Sequence, residues 1–253
     1  MLGFFQTPVI YSGNDLPVIP ESDIERFEVV YEADAYEHWA LNGTNMSLSG
    51  LVNRRLLTMT GGVTGESGNF TMNVNTSAKR GLRSDKADSL IQTQCAVIRV
   101  DSTPAASASA SILFGSLNQS SGSAVYIDEN PFIRRQFRPT ISVTGEKQAS
   151  GLANKWLFVA FSEDGTSTTM KSIILVGGET PSVVEKVYAQ AKTVGTNNVS
   201  LGPIDYSSSV LGYPVKLDVA EYIVYDKALS GIEMLSVYIR SKKRLASRGI
   251  TIE

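Results

Sequence analysis

LDVAEYIVYDKALSGIEMLSVYIRSKKRLASRGITIE, residues 217–253, changes structural period halfway along. Its first nine residues, LDVAEYIVY, are rich in β-branched and aromatic side chains, which fit a strand. Ser230 and Glu233 then form the S-x-x-E pattern of a helix capping box. Ile232, Leu235 and Ile239 follow at helical spacing and predict one apolar stripe facing the core. Lys242, Lys243 and Arg244 stand where cations favour the helix dipole, and Gly249 is a natural C-terminal cap. The spacing predicts a helix over 231–248 packed outside a β core, then a short last strand at Ile250-Thr251-Ile252.

Upstream, the strand pattern recurs many times. Candidate strands are 26–32, 94–101, 111–115, 123–127, 139–144, 155–162, 171–176 and 183–191. Gly- and Asn-rich connectors separate them, among them TGGVTGESGN (60–69), read as a mobile loop, and SEDGTST (162–168) with its Asp164-Gly165 turn signal. STPAASASAS (102–111) suits a loop leading into an edge strand. Many short strands with such connectors predict two packed antiparallel sheets, with Trp156, Phe158, Val219 and Ile223 lining them.

Residues 1–24 read as a separate extended arm ahead of a domain over 25–253. Pro8, Pro17 and Pro20 break any regular element, and Leu2, Phe4, Phe5, Val9, Ile10, Val18 and Ile19 follow no helical period. Seven large apolar side chains suit docking against another chain, so assembly partners and a homo-oligomer are expected.

Composition narrows the function. The chain has 253 residues, 42% hydrophobic and 19% charged, with a net charge of −2. No basic field calls for nucleic acid or an anionic membrane, and no apolar run is long enough to span a bilayer. The N-terminus lacks the pattern of a secretory signal. One cysteine, Cys95, and one histidine, His38, exclude an internal disulfide and the usual zinc sites.

The 217–253 segment resembles the C-terminal signature of the concanavalin A-like, laminin-G-type jelly roll. There a strand carrying Ala220, Glu221, Tyr222, Ile223, Val224 and Tyr225 is followed by Asp226, Leu229, Ser230 and a capped helix. NKWLFVAFSEDGTST (154–168) is similar to that family's Trp-containing strand and turn. ADAYEHWALNGTNMSLSGLVNRRL (33–56) is similar to its opening, an aromatic-rich strand leading to an L-S-G-x-x-N loop. The resemblance spans roughly 26–253 and implies an all-β sandwich with one C-terminal helix.

Glu32, Asp34 and Glu37 in EADAYEHW match the Glu-x-Asp-x-x-Glu pattern of retaining glycan hydrolases sharing this fold. Carboxyls on one strand face lie roughly 5–7 Å apart, near the spacing double displacement needs. In those hydrolases, however, the pattern lies mid-chain in an aromatic-lined cleft. Here it lies at the start of the domain, so the expectation is a solvated strand end with His38 on the surface, and no enzyme. Tyr36, Trp39 and Asp34 are instead candidate glycan contacts. Relatives of this fold that bind calcium use rim oxygens, for which Asp128-Glu129-Asn130 and Ser162-Glu163-Asp164-Gly165 are candidates; otherwise no cofactor is expected. Arg134, Arg135 and Arg138 read as a solvated strand edge or a patch for an acidic partner. The resemblance implies a non-enzymatic structural subunit of a bacteriophage virion, docked through residues 1–24. A carbohydrate-binding module is the alternative.

Overall fold

The computed structural model describes residues 31–74, 79–103, 110–128, 132–139, 145–148, 151, 153–178, 180–206 and 215–253. The arm over 1–24 and the candidate strand at 26–32 (but for Tyr31 and Glu32) lie outside these residues.

In chain order the strands are β1 (Glu37–Trp39), β2 (Thr58–Thr60), β3 (Val63–Glu66), β4 (Asn69–Val74), β5 (Gly81–Ala87), β6 (Ile91–Val100), β7 (Ala110–Gly115) and β8 (Ser123–Asp128). They continue with β9 (Phe132–Phe137), β10 (Gly145–Gln148), β11 (Leu157–Gly165), β12 (Met170–Val176), β13 (Ser182–Tyr188), β14 (Asn198–Leu201) and β15 (Val215–Tyr225). One α-helix, α1 (Gly231–Ala246), follows. An eight-stranded sheet runs β13-β12-β11-β6-β15-β4-β3, with β1 also paired to β15. A seven-stranded sheet runs β10-β9-β8-β7-β14-β5-β2. All named pairs are antiparallel, so the fold is the expected sandwich, a concanavalin A-like jelly roll. The glycine-rich stretch 60–69, expected to be a loop, instead contributes β3 and its turn into β4.

Three layers result. Between the sheets pack Trp39, Phe70, Leu82, Phe114, Phe161 and Tyr222. Between the larger sheet and α1 pack Cys95, Val97, Phe158, Ile223, Met234 and Tyr238. β6 and β11 are therefore covered on both faces, which explains their continuous apolar runs: Ala96 and Ile98 face the inner core, Cys95 and Val97 the helix. Of the predicted lining residues, Phe158, Val219 and Ile223 are buried and Trp156 is partly buried with Arg99 stacked 4.7 Å above it.

β15 changes phase partway. Leu217 and Val219 face the inner core, and then Tyr222 and Val224 do. A register shift between Val219 and Glu221 accounts for it. Such a bulge adds one residue to a strand and re-aims those beyond it. Without it Glu221 would point between the sheets. With it, Glu221 points to the helix, where Arg244 Nε donates to it at 2.8 Å and His38 Nε2 lies at 3.0 Å.

The helix begins as the sequence predicts. Ser230 caps it through a complete capping box with Glu233, and it ends at Ala246 with Gly249 (φ 74°) beyond. Its buried face is different. Met234, Val237, Tyr238, Ser241, Arg244 and Leu245 are buried, while Ile232 is 78% and Ile239 55% exposed and Leu235 is only partly covered. The i, i+3, i+4, i+7, i+11 set that starts at Met234 is the longer stripe. It also lets the Tyr238 hydroxyl donate to the Gly178 carbonyl at 2.7 Å, so burying this stripe leaves no orphan hydroxyl.

A buried ionic cluster joins the two sheets at one end. Lys192 Nζ donates to Asp88 and to Glu163, both at 2.7 Å, and all three side chains are fully buried. Gln92 bridges the same two carboxylates, and Arg135 from β9 pairs with Glu163 and Ser172. The arginine-rich stretch is thus no solvated patch. Arg135 is buried, Arg134 pairs with Asp128, and Arg138 donates to the Asn118 carbonyl and the Tyr206 hydroxyl.

Candidate functional site

The carboxyl-rich stretch that raised the enzyme question is built into the framework. Glu37 accepts from the backbone N–H groups of Val52, Asn53 and Arg55 at 2.7–2.9 Å. Gly50 makes this wrap possible, since a Cβ there would lie 2.0 Å from the Glu37 carboxyl carbon. The L-S-G-x-x-N loop is therefore a cradle for Glu37. Glu32 receives both Arg240 (2.6 and 2.9 Å) and Arg244 (2.7 Å). Burial pushes the Glu32 carboxyl up, but the bonds from Arg240 and Arg244 outweigh it and hold the group below the ordinary value. Asp34 is exposed, and its bond with Lys227 at 2.6 Å holds its carboxyl down as well.

Retaining hydrolysis needs one carboxyl kept protonated opposite an ionised one. Here Glu32 and Asp34 are both held ionised, and Glu37 is sealed in backbone. These three carboxyls therefore do not form that catalytic set, and Glu32 and Glu37 are buried, a correction to the solvated strand end expected for them. His38 is also fully buried, a correction to its expected surface position. Its Nδ1 accepts from Glu32 N–H at 3.0 Å, so Nε2 carries the proton toward Glu221.

The three glycan-contact candidates separate. Trp39 is 0% exposed, stacked on Tyr222 at 5.6 Å, with its indole N–H donating to the Arg55 carbonyl. It has no face to offer a ligand, because β1 closes the inner core. Trp39→Ala should lower the unfolding free energy by about 3–5 kcal/mol, read as a fall in the denaturant midpoint. Tyr36 donates to Asp85 at 3.1 Å and has Arg55 stacked 4.2 Å from its ring centre. Burial, then Asp85, push its hydroxyl up to about 12. Asp34 stands at a concavity.

That concavity is a groove of about 270 Å³ at the start of α1. Asp34 and Lys227 form one wall, and Ile232, Ser236 and Arg240 of α1 the other. Tyr225, Leu229 and Val237 supply apolar surface. Thr93 holds the Lys227–Leu229 turn in place: its hydroxyl donates to the Lys227 carbonyl at 2.8 Å and accepts the Leu229 N–H at 2.9 Å. Lys227, Ser236 and Arg240 were not among the sequence candidates. For Ser236 and Arg240 the signal was the polar flank of the helix, visible only once the buried face was known; Lys227 sits in the turn before it.

The candidate calcium stretches are engaged otherwise. Asp128 accepts the Phe132 N–H and pairs with Arg134, and Glu129 and Asn130 lie outside the described residues. Glu163 and Asp164 alternate on β11, the first inside the ionic cluster and the second exposed. Among the described residues no group of three or more His, Cys, Asp and Glu side chains is placed to hold a metal ion.

The fold is a concanavalin A-like β-sandwich with one C-terminal helix. No family model and no curated protein matches the sequence. Among solved structures the chain is similar to the receptor-binding domain of botulinum neurotoxin D, with TM-score 0.59 and 14% identity over 83% of this chain and 53% of that one. It is similar to the binding domain of serotype G, with TM-score 0.56 and 14% identity over 82% and 51%. It is also similar to botulinum neurotoxin type C, which depends on interaction with two ganglioside molecules to enter cells, with TM-score 0.58 and 12% identity over 81% and 51%. The chain spans about half the length of these structures. They correct the expectation of a virion subunit: the structures it resembles are neurotoxin receptor-binding or binding domains and a toxin that interacts with gangliosides.

Proposed function

We infer that this chain is a non-enzymatic glycan-binding domain and that its ligand lies in the groove at the start of α1. The observation that carries the reading is the composition of that groove. Asp34 and Lys227, Arg240 and Ser236 set acceptors and donors around an apolar floor, and Ile232 stands 78% exposed at the lip. A sugar ring presents the matching surface, with hydroxyls that both donate and accept around an apolar C–H face. Sites of this kind are apolar concavities with a few converging polar groups. The ganglioside dependence of the type C neurotoxin supports a glycan as the ligand without fixing its charge.

Ser236→Trp places an indole in the groove from the solvent-side flank of α1. The wild-type chain should bind glycans on a printed array, and this variant should lose that binding while keeping its unfolding midpoint. An array without a single bound glycan, or an undiminished Ser236→Trp variant, would overturn the assignment.

A further inference from the structure

The groove continues past Glu233. A second concavity of about 150 Å³ lies beside the first, lined by Ser162, Asp164, Lys171 and Ile173, and Leu229 and Glu233 line both. Neither volume reaches the roughly 300–1,000 Å³ of a typical small-molecule site, whereas the two together do. Such a double groove suits a ligand longer than one sugar ring.

Its charges are also specific. Each of the three cations lining it already holds a carboxylate: Lys227 with Asp34 at 2.6 Å, Arg240 with Glu32 at 2.6 Å, and Lys171 with Glu185 at 2.9 Å. Asp164 is exposed, and Glu233 accepts hydrogen bonds from the Ser230 cap. Among the described lining residues an anionic sugar would find no unmatched cation and would meet the two further carboxylates of Asp164 and Glu233. Neutral hydroxyls meet no such penalty. We propose, resting on the glycan-binding reading, that the two concavities form one elongated site for a neutral linear oligosaccharide, and that this site discriminates against sialylated and sulfated sugars.

The test uses the full chain with neutral oligosaccharides of graded length, alongside sialyl- and sulfo-terminated versions of the same cores. Affinities are measured by calorimetry after an array screen. A tetrasaccharide should bind about tenfold more tightly than its disaccharide, and the anionic version about tenfold more weakly than the neutral one, each a difference of about 1.4 kcal/mol. Lys171→Ala, on an exposed side chain, should weaken the tetrasaccharide and leave the disaccharide unchanged. Tighter binding of the anionic cores overturns the charge preference. Equal affinity for both lengths, or a tetrasaccharide indifferent to Lys171→Ala, overturns the elongated site. Either result leaves the glycan-binding reading standing, whereas binding of no sugar removes both.

Discussion

Lys192→Met should lower the unfolding free energy by about 3–5 kcal/mol, the cost of removing one partner from a buried ion pair. For a chain of this size that is a fall in thermal midpoint of roughly 10 °C. The ammonium is the hub of the inter-sheet cluster. It donates to Asp88, Glu163 and the Ser89 carbonyl at 2.6–2.7 Å, and its removal leaves buried Asp88 with the neutral donors Ser116 and Gly195 N–H and leaves Glu163 to Arg135. Gln92 would still bridge them, but as a neutral donor. Burial pushes the Glu163 carboxyl up, and Lys192 and Arg135 outweigh it, bringing the group down to about 2. Chemical denaturation of Lys192→Met beside the wild type measures the loss. A change under 1 kcal/mol would mean that the cluster rearranges freely and does not pin the sheets.

Arg244→Met should cost a similar amount, about 3–5 kcal/mol, and should act first on α1. The guanidinium spans two buried carboxylates on different elements, Glu32 at 2.7 Å and Glu221 at 2.8 Å. Losing it leaves Glu221 with His38 as its remaining hydrogen-bonded side-chain partner among the described residues. Amide hydrogen exchange across 231–246 should accelerate more than across β6 or β11. Arg244→Lys should rescue only part of the effect, because a single ammonium does not reproduce the fork. Acid should reach the same contact. Burial pushes the Glu221 carboxyl up, but His38 and Arg244 outweigh it and bring it from the ordinary 4.5 to about 2. A depressed carboxyl contributes stability that is fully present above its unfolded value and is lost as pH falls through the folded one. The denaturant midpoint should therefore hold above pH 4.5 and fall between about 4.5 and 2. Glu221→Gln should start lower and show a shallower acid limb.

The sequence by itself determined the layers and the cap. The β-branched and aromatic runs along β6, β11 and β15, the Ser230–Glu233 box and Gly249 are local signals, and local signals survive into the fold because neighbouring residues satisfy them. It also named Asp34 as a candidate glycan contact, but the groove that Asp34 lines came only from the tertiary structure. What depended on distant residues was not legible. Two apolar stripes ran along the helix, and the choice between Ile232–Ile239 and Met234–Leu245 was made by the surface of β11 and β12 beneath it. The fate of Glu32, Glu37, His38 and Trp39 was likewise set from elsewhere, by Arg240 and Arg244, by the loop around Gly50, and by Tyr222. A charged side chain reads as solvated until its partner is known, and here partners such as Arg244 stand some two hundred positions away along the chain. The bulge between Val219 and Glu221 is the sharpest case. One extra residue turned Glu221 from the inner core to the helix, and only the pairing of β15 with β6 shows that turn.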